Sequence, residues 1–144
     1  MAYSISTVDV WVGTIEDRPG GLSEKLKPLA EAGANLEFLI GRKAPDKPHT
    51  GVVFVAPIKG AKQVNAAKKA DLRVSKSLRS LRVEGPDRSG LCSAITLALG
   101  EAGINLRGIS AAALGKRSVV YIAFDNPADT GKAGRILKKT LGRR

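Results

Sequence analysis

Residues 17–36 read DRPGGLSEKLKPLAEAGANL, and residues 87–106 read DRSGLCSAITLALGEAGINL. The two stretches align without a gap, and ten of their twenty positions are identical. Such self-similarity at a spacing of 70 residues indicates an internal duplication. The repeated stretch consists of a loop, a helical pattern and a second loop, and loops carry function more often than buried cores do.

Hydrophobic periodicity predicts the elements of the first copy. A run rich in β-branched and aromatic residues precedes the Asp-Arg-Pro-Gly turn and reads as a strand. Leucines at helical spacing follow it and stop at Gly33, and Pro28 is expected to kink or weaken this helix. The predicted strands are 8–15, 36–40, 52–56 and a short one at 72–74, and the predicted helices are 22–32 and 59–70.

The second copy repeats this order, with strands at 78–84, 106–113 and 119–124, but it leaves no room for a clear fourth strand. Each copy therefore reads as a split βαβ unit, β-α-β-β-α-β. The predicted fold class is α+β: two ferredoxin-like modules at 1–76 and 77–144, with antiparallel sheets and helices on one sheet face. Because the spacing between them is short, we expect the modules to pack side by side about a pseudo-twofold axis.

Composition limits the classes of function. A single cysteine, Cys92, rules out a disulfide framework and is expected to be a small buried helix residue. One histidine cannot build a metal site or a catalytic triad alone. No apolar run is long enough to span a bilayer and the first residues do not resemble a signal peptide, so a cytoplasmic protein is expected.

The net charge of +11 is unevenly distributed. Residues 1–40 carry a net charge of −3, and residues 41–144 carry +14, with a long basic stretch at 59–82. A basic stretch attracts phosphate backbones or acidic partners, and it equally serves as a solvated surface. Both readings stay open.

The repeated Asp-x-x-Gly loop joins a strand to a helix N-terminus, where free N–H groups favour an anion. Gly20 and Gly90 allow close approach of a ligand, and Asp17 and Asp87 can receive an ammonium group or a backbone N–H. This combination suits a free amino acid. It equally suits a helix cap followed by a turn.

Both copies of this motif resemble the signature of the ACT domain, and together they cover nearly the whole chain. ACT domains are small regulatory modules that usually bind amino acids at the interface of paired domains. The resemblance implies a ligand site near the first loop, with an asparagine that follows the helix completing it. The implied ligand-binding residues are Asp17, Gly20, Gly21, Leu22 and Asn35 in the first copy and Asp87, Gly90, Leu91 and Asn105 in the second.

The leading hypothesis is a free-standing regulatory protein that binds a small molecule, associates as a homodimer and acts on an enzyme in trans. No nucleophile with a base, phosphate-binding loop or metal-spaced ligand set is present, so neither an enzyme nor a cofactor is expected. The alternatives are a basic nucleic-acid-binding module, disfavoured by the few aromatic residues, and a structural dimerisation module. Of the two loops, Pro19-Gly20-Gly21 promises the more open pocket.

Overall fold

The structure is a computed structural model that describes residues 3–142, apart from the side chains of residues 75–78. Six strands and four helices alternate in the order βαββαβαββα. Their bounds are β1 Ser4–Glu16, α1 Gly21–Glu31, β2 Phe38–Lys43, β3 Thr50–Ala56, α2 Gly60–Lys69, β4 Arg73–Pro86, α3 Leu91–Glu101, β5 Leu106–Leu114, β6 Arg117–Phe124 and α4 Ala128–Gly142.

The described residues form two compact units. Residues 9–75 make up one, called here the first-copy unit, and residues 3–8 join residues 76–142 in the other, the second-copy unit. The predicted modules at 1–76 and 77–144 differ from this division in one respect, because the start of β1 groups with the later copy. The side-by-side packing of two modules remains a prediction.

In the first-copy unit, β3 pairs antiparallel with both β1 and β2. The start of β4, residues 73–75, belongs to the same unit and neighbours β1. The order is therefore β4 start, β1, β3, β2, with α1 and α2 as the helices. The core contains Trp11, Leu29, Val53, Val55, Ala67 and Leu72.

The second-copy unit has the same arrangement. Here β6 pairs antiparallel with β4 and β5, and the start of β1 takes the place next to β4. Residues 4–8 therefore supply the fourth strand that the sequence of the second copy lacks. Its larger core is built by β4, β6 and the two helices, and contains Leu81, Val83, Leu91, Ile95, Leu99, Ile104, Val120, Ile122, Phe124, Ala133, Leu137 and Leu141.

Two details differ from the sequence predictions. The strands expected at 72–74 and 78–84 are one continuous strand, β4, since Arg73 to Pro86 contains no glycine, proline, asparagine or aspartate before Gly85. Helix α1 continues through Pro28 up to Glu31. A proline in the third turn removes one helical hydrogen bond, and burial of Leu29 in the core opposes that loss.

Candidate functional site

The two Asp-x-x-Gly loops adopt the same backbone conformation. Gly20 and Gly90 are the N-caps of α1 and α3, and both have a φ of 83°, a left-handed conformation that glycine adopts without strain. The aspartate N–H in each loop donates to a carbonyl of the adjacent hairpin, that of His49 at 3.0 Å for Asp17 and that of Lys116 at 2.8 Å for Asp87. The duplicated motif thus builds the same frame twice.

A cavity of about 400 Å³ opens beside the second-copy loop. It lies between the N-terminal turn of α3 and the strands β5 and β6, so the loop forms one side and a wall of alanines the other. Leu91, Ser118 and Val120 are its buried residues. The full lining is Asp87, Arg88, Gly90, Leu91, Cys92, Ser93, Ala111, Ala112, Ala113, Ser118 and Val120.

The polar groups at this cavity suit a small ion with charges of both signs. The N–H groups of Cys92 and Ser93 have no acceptor among the described residues, because Gly90 provides no side-chain cap. Unpaired N–H groups in the first turn of a helix attract an anion. The Asp87 carboxylate makes no ion pair or side-chain hydrogen bond within the described part of the chain, so it is available to a cation.

Strand register identifies the equivalent positions in the first copy. Gly41 of the first copy corresponds to Ala111 of the second, because they pair with Val53 and Val120 respectively. Lys43 likewise corresponds to Ala113, because they pair with Gly51 and Ser118. The Lys43 Nζ atom reaches the Asp17 carboxylate at 2.6 Å. The carboxylate that is available in the second copy is therefore neutralised in the first.

Two further contacts tighten the first-copy loop. Leu22, the counterpart of Cys92, extends to 3.7 Å from where a β-carbon on Gly41 would lie, and so occupies space at this position. A β-carbon on Gly21 would lie 2.1 Å from the Glu16 carbonyl oxygen, which shows how closely the helix start approaches the end of β1. These contacts narrow the loop that the sequence predicts to be the more open one.

Arg18 also belongs to this closed arrangement. Its guanidinium pairs with the carboxylates of Glu16 and Glu24, and these hydrogen bonds raise its pKa above the ordinary value. Arg88, its counterpart, has no ion-pair partner among the described residues and lines the cavity. The second copy therefore leaves both of its loop charges unpaired.

The structure does not bring the asparagines to the loops. Asn105 follows α3, whereas Asp87 precedes it. The two residues lie at opposite ends of β6, because their neighbours pair with its opposite ends: Leu106 with Phe124, and Pro86 with Arg117. Eight residues of strand separate those ends by about 24 Å. The Asn105 amide donates to Asp125 at 2.7 Å. Asn35 occupies the corresponding far end of the first-copy unit, since one pass along a helix carries the chain across the sheet.

Sequence reasoning missed most of the cavity wall. Ala111, Ala112 and Ala113 form one side of the cavity, and the only available signal was their alignment with Gly41, Arg42 and Lys43 of the first copy. Cys92 was expected to be buried and is exposed, because it stands at the second position of α3 and lines the cavity mouth.

No protein-family model matches the chain, and no curated protein matches it in sequence. Solved structures do. Protein BT0572 from Bacteroides thetaiotaomicron has a TM-score of 0.77 at 17% identity, over 95% of this chain and 90% of that one. The regulatory subunit of aspartate kinase from Thermus thermophilus, in a ligand-free form, has a TM-score of 0.65 at 17% identity, over 96% of both chains.

A structure of aspartokinase alpha and beta subunits has a TM-score of 0.65 at 18% identity and covers 99% of both chains. At these identities the similarity shows the fold, which is the α+β arrangement that these structures share. In the described part of the chain, no helix is long and apolar enough to cross a membrane. No cluster of metal-ligating side chains occurs there either.

Proposed function

We propose that this chain is a regulatory protein that binds a small zwitterion, an amino acid fitting best, in the cavity of the second-copy unit. The observation that carries the proposal is the difference between the loops: unpaired Asp87 and free N–H groups face a cavity in one, and Lys43 and Leu22 occupy the space in the other. The first-copy residues Asp17, Gly20, Gly21, Leu22 and Asn35 remain predicted ligand contacts.

The chemistry of an amino acid matches the positions of these groups. Its carboxylate would accept hydrogen bonds from the N–H groups of Cys92 and Ser93, where the helix dipole adds to the attraction. Its ammonium group would pair with Asp87, and a small side chain would lie against Ala111 and Ala113. A volume of about 400 Å³ is at the lower end of the range for small-molecule sites.

Regulation would follow from association with other chains. Three of the similar structures are described as aspartate kinase regulatory subunits or domains, which supports a regulatory role and an enzyme as the partner in trans. A homodimer is supported by α3, which carries no charge before Glu101 and exposes 61% of Leu97. Uncharged exposed surface beside the cavity favours burial against a second copy.

Isothermal titration calorimetry with the twenty amino acids, one at a time, tests the proposal. The decisive variant is Ala113→Lys, which introduces into the second copy the ammonium group that neutralises Asp17 in the first. We expect at least a tenfold weaker affinity, since the new charge competes for Asp87 and its stem fills the cavity. Leu114→Lys is the matched control: it adds the same charge one residue along, on a side chain that is 87% exposed and outside the cavity.

Asp87→Asn separates charge from shape, because it removes the negative charge and keeps the size. It should cost about 1.5–3 kcal/mol of binding free energy, the usual worth of a hydrogen bond to a charged group. If the amino-acid affinity measured by calorimetry is unchanged in both Ala113→Lys and Asp87→Asn, this cavity is excluded as the binding site. Absence of heat with every amino acid would favour the structural dimerisation module.

A further inference from the structure

Helix α4 presents a row of cations to solvent. Lys132, Arg135, Lys138 and Lys139 are all exposed, one or two in each turn. The opposite side of the helix, with Leu137 completely buried, packs into the second-copy core. The sequence of this unit contains thirteen basic and five acidic side chains, a net charge of +8, so the row lies in a strongly positive surrounding.

These four side chains have no ion-paired counter-charge in the described part of the chain, although Asp129 stands three positions before Lys132 in the first turn of α4. None of them forms an ion pair among the described residues, and the single polar contact is from Lys132 Nζ to the Ala102 carbonyl oxygen at 3.4 Å. Like charges three or four positions apart destabilise a helix by about 0.2–0.5 kcal/mol per pair. The helix dipole stabilises the positive charge of Lys139 in the last turn, but it does not stabilise those of Lys132 and Arg135, which lie outside that turn.

The equivalent helix of the first copy does not show this pattern. In α2, Lys62 is followed by uncharged residues until Lys68 and Lys69, which lie in the last turn where the dipole favours cations. Local stability therefore accounts for the lysines of α2. It does not account for a continuous row along α4.

We propose that this face of α4 binds the phosphodiester backbone of nucleic acid without regard to base sequence. Cations at a spacing of one helical turn, about 5.4 Å, meet a polyanion whose charges are a few ångströms apart. Lysine and arginine are the side chains that contact phosphates most often. No aromatic side chain accompanies them on α4, so base stacking and base-specific recognition are not expected.

Two other anionic partners fit this surface less well. Lysine is depleted at protein interfaces, where buried aromatic and apolar side chains form the centre, and the other exposed residues of α4 are Ala128, Gly131 and Gly142. A helix that lies in a membrane surface inserts its apolar side. In α4 that side is occupied by the core, as Leu137 and Leu141 show.

The basic stretch noted at 59–82 is a different feature. It divides between α2 and β4, and one of its cations, Arg82, is half-buried with a guanidinium nitrogen 3.6 Å from the Glu84 carboxylate. The row on α4 lies outside that stretch.

Fluorescence anisotropy with a labelled duplex of about 20 bp tests the proposal. Four phosphate contacts predict a slope near −3.6 for the logarithm of affinity against the logarithm of salt, or about a 150-fold loss between about 50 and 200 mM. Neutralising the row, with Lys132→Gln, Arg135→Gln, Lys138→Gln and Lys139→Gln together, should weaken binding more than tenfold at the lower salt and bring the slope close to zero. Replacing its three lysines by arginine should preserve binding.

The matched control also replaces three lysines and one arginine by glutamine, but at scattered exposed positions. These are Lys27, Arg42, Lys47 and Lys116. It should weaken binding less than threefold. An equal loss in both variants would show that net charge acts without a site and would overturn the proposal. Displacement of the duplex by polyglutamate at equal charge concentration would also overturn the proposal. Binding to phosphatidylglycerol vesicles without any binding to the duplex would do the same. A duplex of shuffled sequence should bind equally.

Discussion

The contact between Gly85 and Tyr3 offers a quantitative test of how the chain start joins the second-copy unit. A β-carbon on Gly85 would lie 2.4 Å from Cδ1 and 2.8 Å from Cε1 of the Tyr3 ring. The Tyr3 hydroxyl donates to the Pro86 carbonyl at 2.7 Å, one residue before Asp87. Gly85→Ala therefore requires the ring to move and the hydrogen bond to lengthen or break.

The magnitude follows from these contacts. Overfilling a packed site costs about 1–3 kcal/mol. Loss of the hydrogen bond adds about 0.5–1.5 kcal/mol. The lower entropy of an alanine in the unfolded chain returns about 0.4–1 kcal/mol. The free energy of unfolding should therefore fall by about 0.5–4 kcal/mol in Gly85→Ala.

Urea denaturation followed by circular dichroism measures this change, and a double-mutant cycle with Tyr3→Ala identifies its cause. If the clash is with the Tyr3 ring, Gly85→Ala should cost much less once the ring is gone, with a coupling of about 1–2 kcal/mol. Gly108→Ala is the control, since a β-carbon there meets no atom within 4 Å. Additive effects of the two substitutions, within about 0.5 kcal/mol, would refute the reasoning.

Three further predictions test the core, the dimer and the charges near the site. Leu137→Ala should lower the free energy of unfolding by about 2–5 kcal/mol in thermal or urea melts, because its side chain is fully buried. Leu97→Arg should convert the proposed homodimer to a monomer in light scattering, and a wild-type mass near 15.1 kDa at all micromolar concentrations would refute the dimer. The pKa of Glu84 is lowered, chiefly by its hydrogen bond to Arg117, so its stabilising effect is present above the ordinary glutamate pKa and lost as pH falls through the lower folded value. In Glu84→Gln, the free energy of unfolding should therefore fall less steeply as the pH is lowered into the acid range. An unchanged pH dependence would contradict this.

The duplicated motif predicted much of the fold because its spacing is local. Gly20 and Gly90 were expected to form turns before helices, and both are left-handed N-caps of helices that end close to the predicted positions. The strand order and the continuous β4 depend on pairing between distant residues. No local pattern reports which strand a segment such as 4–8 will join.

The candidate site was predicted only in part for the same reason. The loop residues Asp87, Gly90 and Leu91 line the cavity, whereas the alanines opposite them come from a strand some twenty residues later. Asn105 was associated with the loop from its place in the motif, although a helix of eleven residues carries the chain to the far end of the sheet. Which loop is open depends on the Lys43–Asp17 pair, which side-chain geometry alone reveals.

The sharing of β1 and β4 between units has a consequence during synthesis. Residues 4–8 leave the ribosome well before the strand that they border in the second-copy unit, because β4 is made about seventy residues later. An unpaired strand edge in a growing chain is open to aggregation until its partner arrives. A gene cut at the repeat boundary would make that condition permanent, since a fragment of residues 77–144 would have no segment to cover β4.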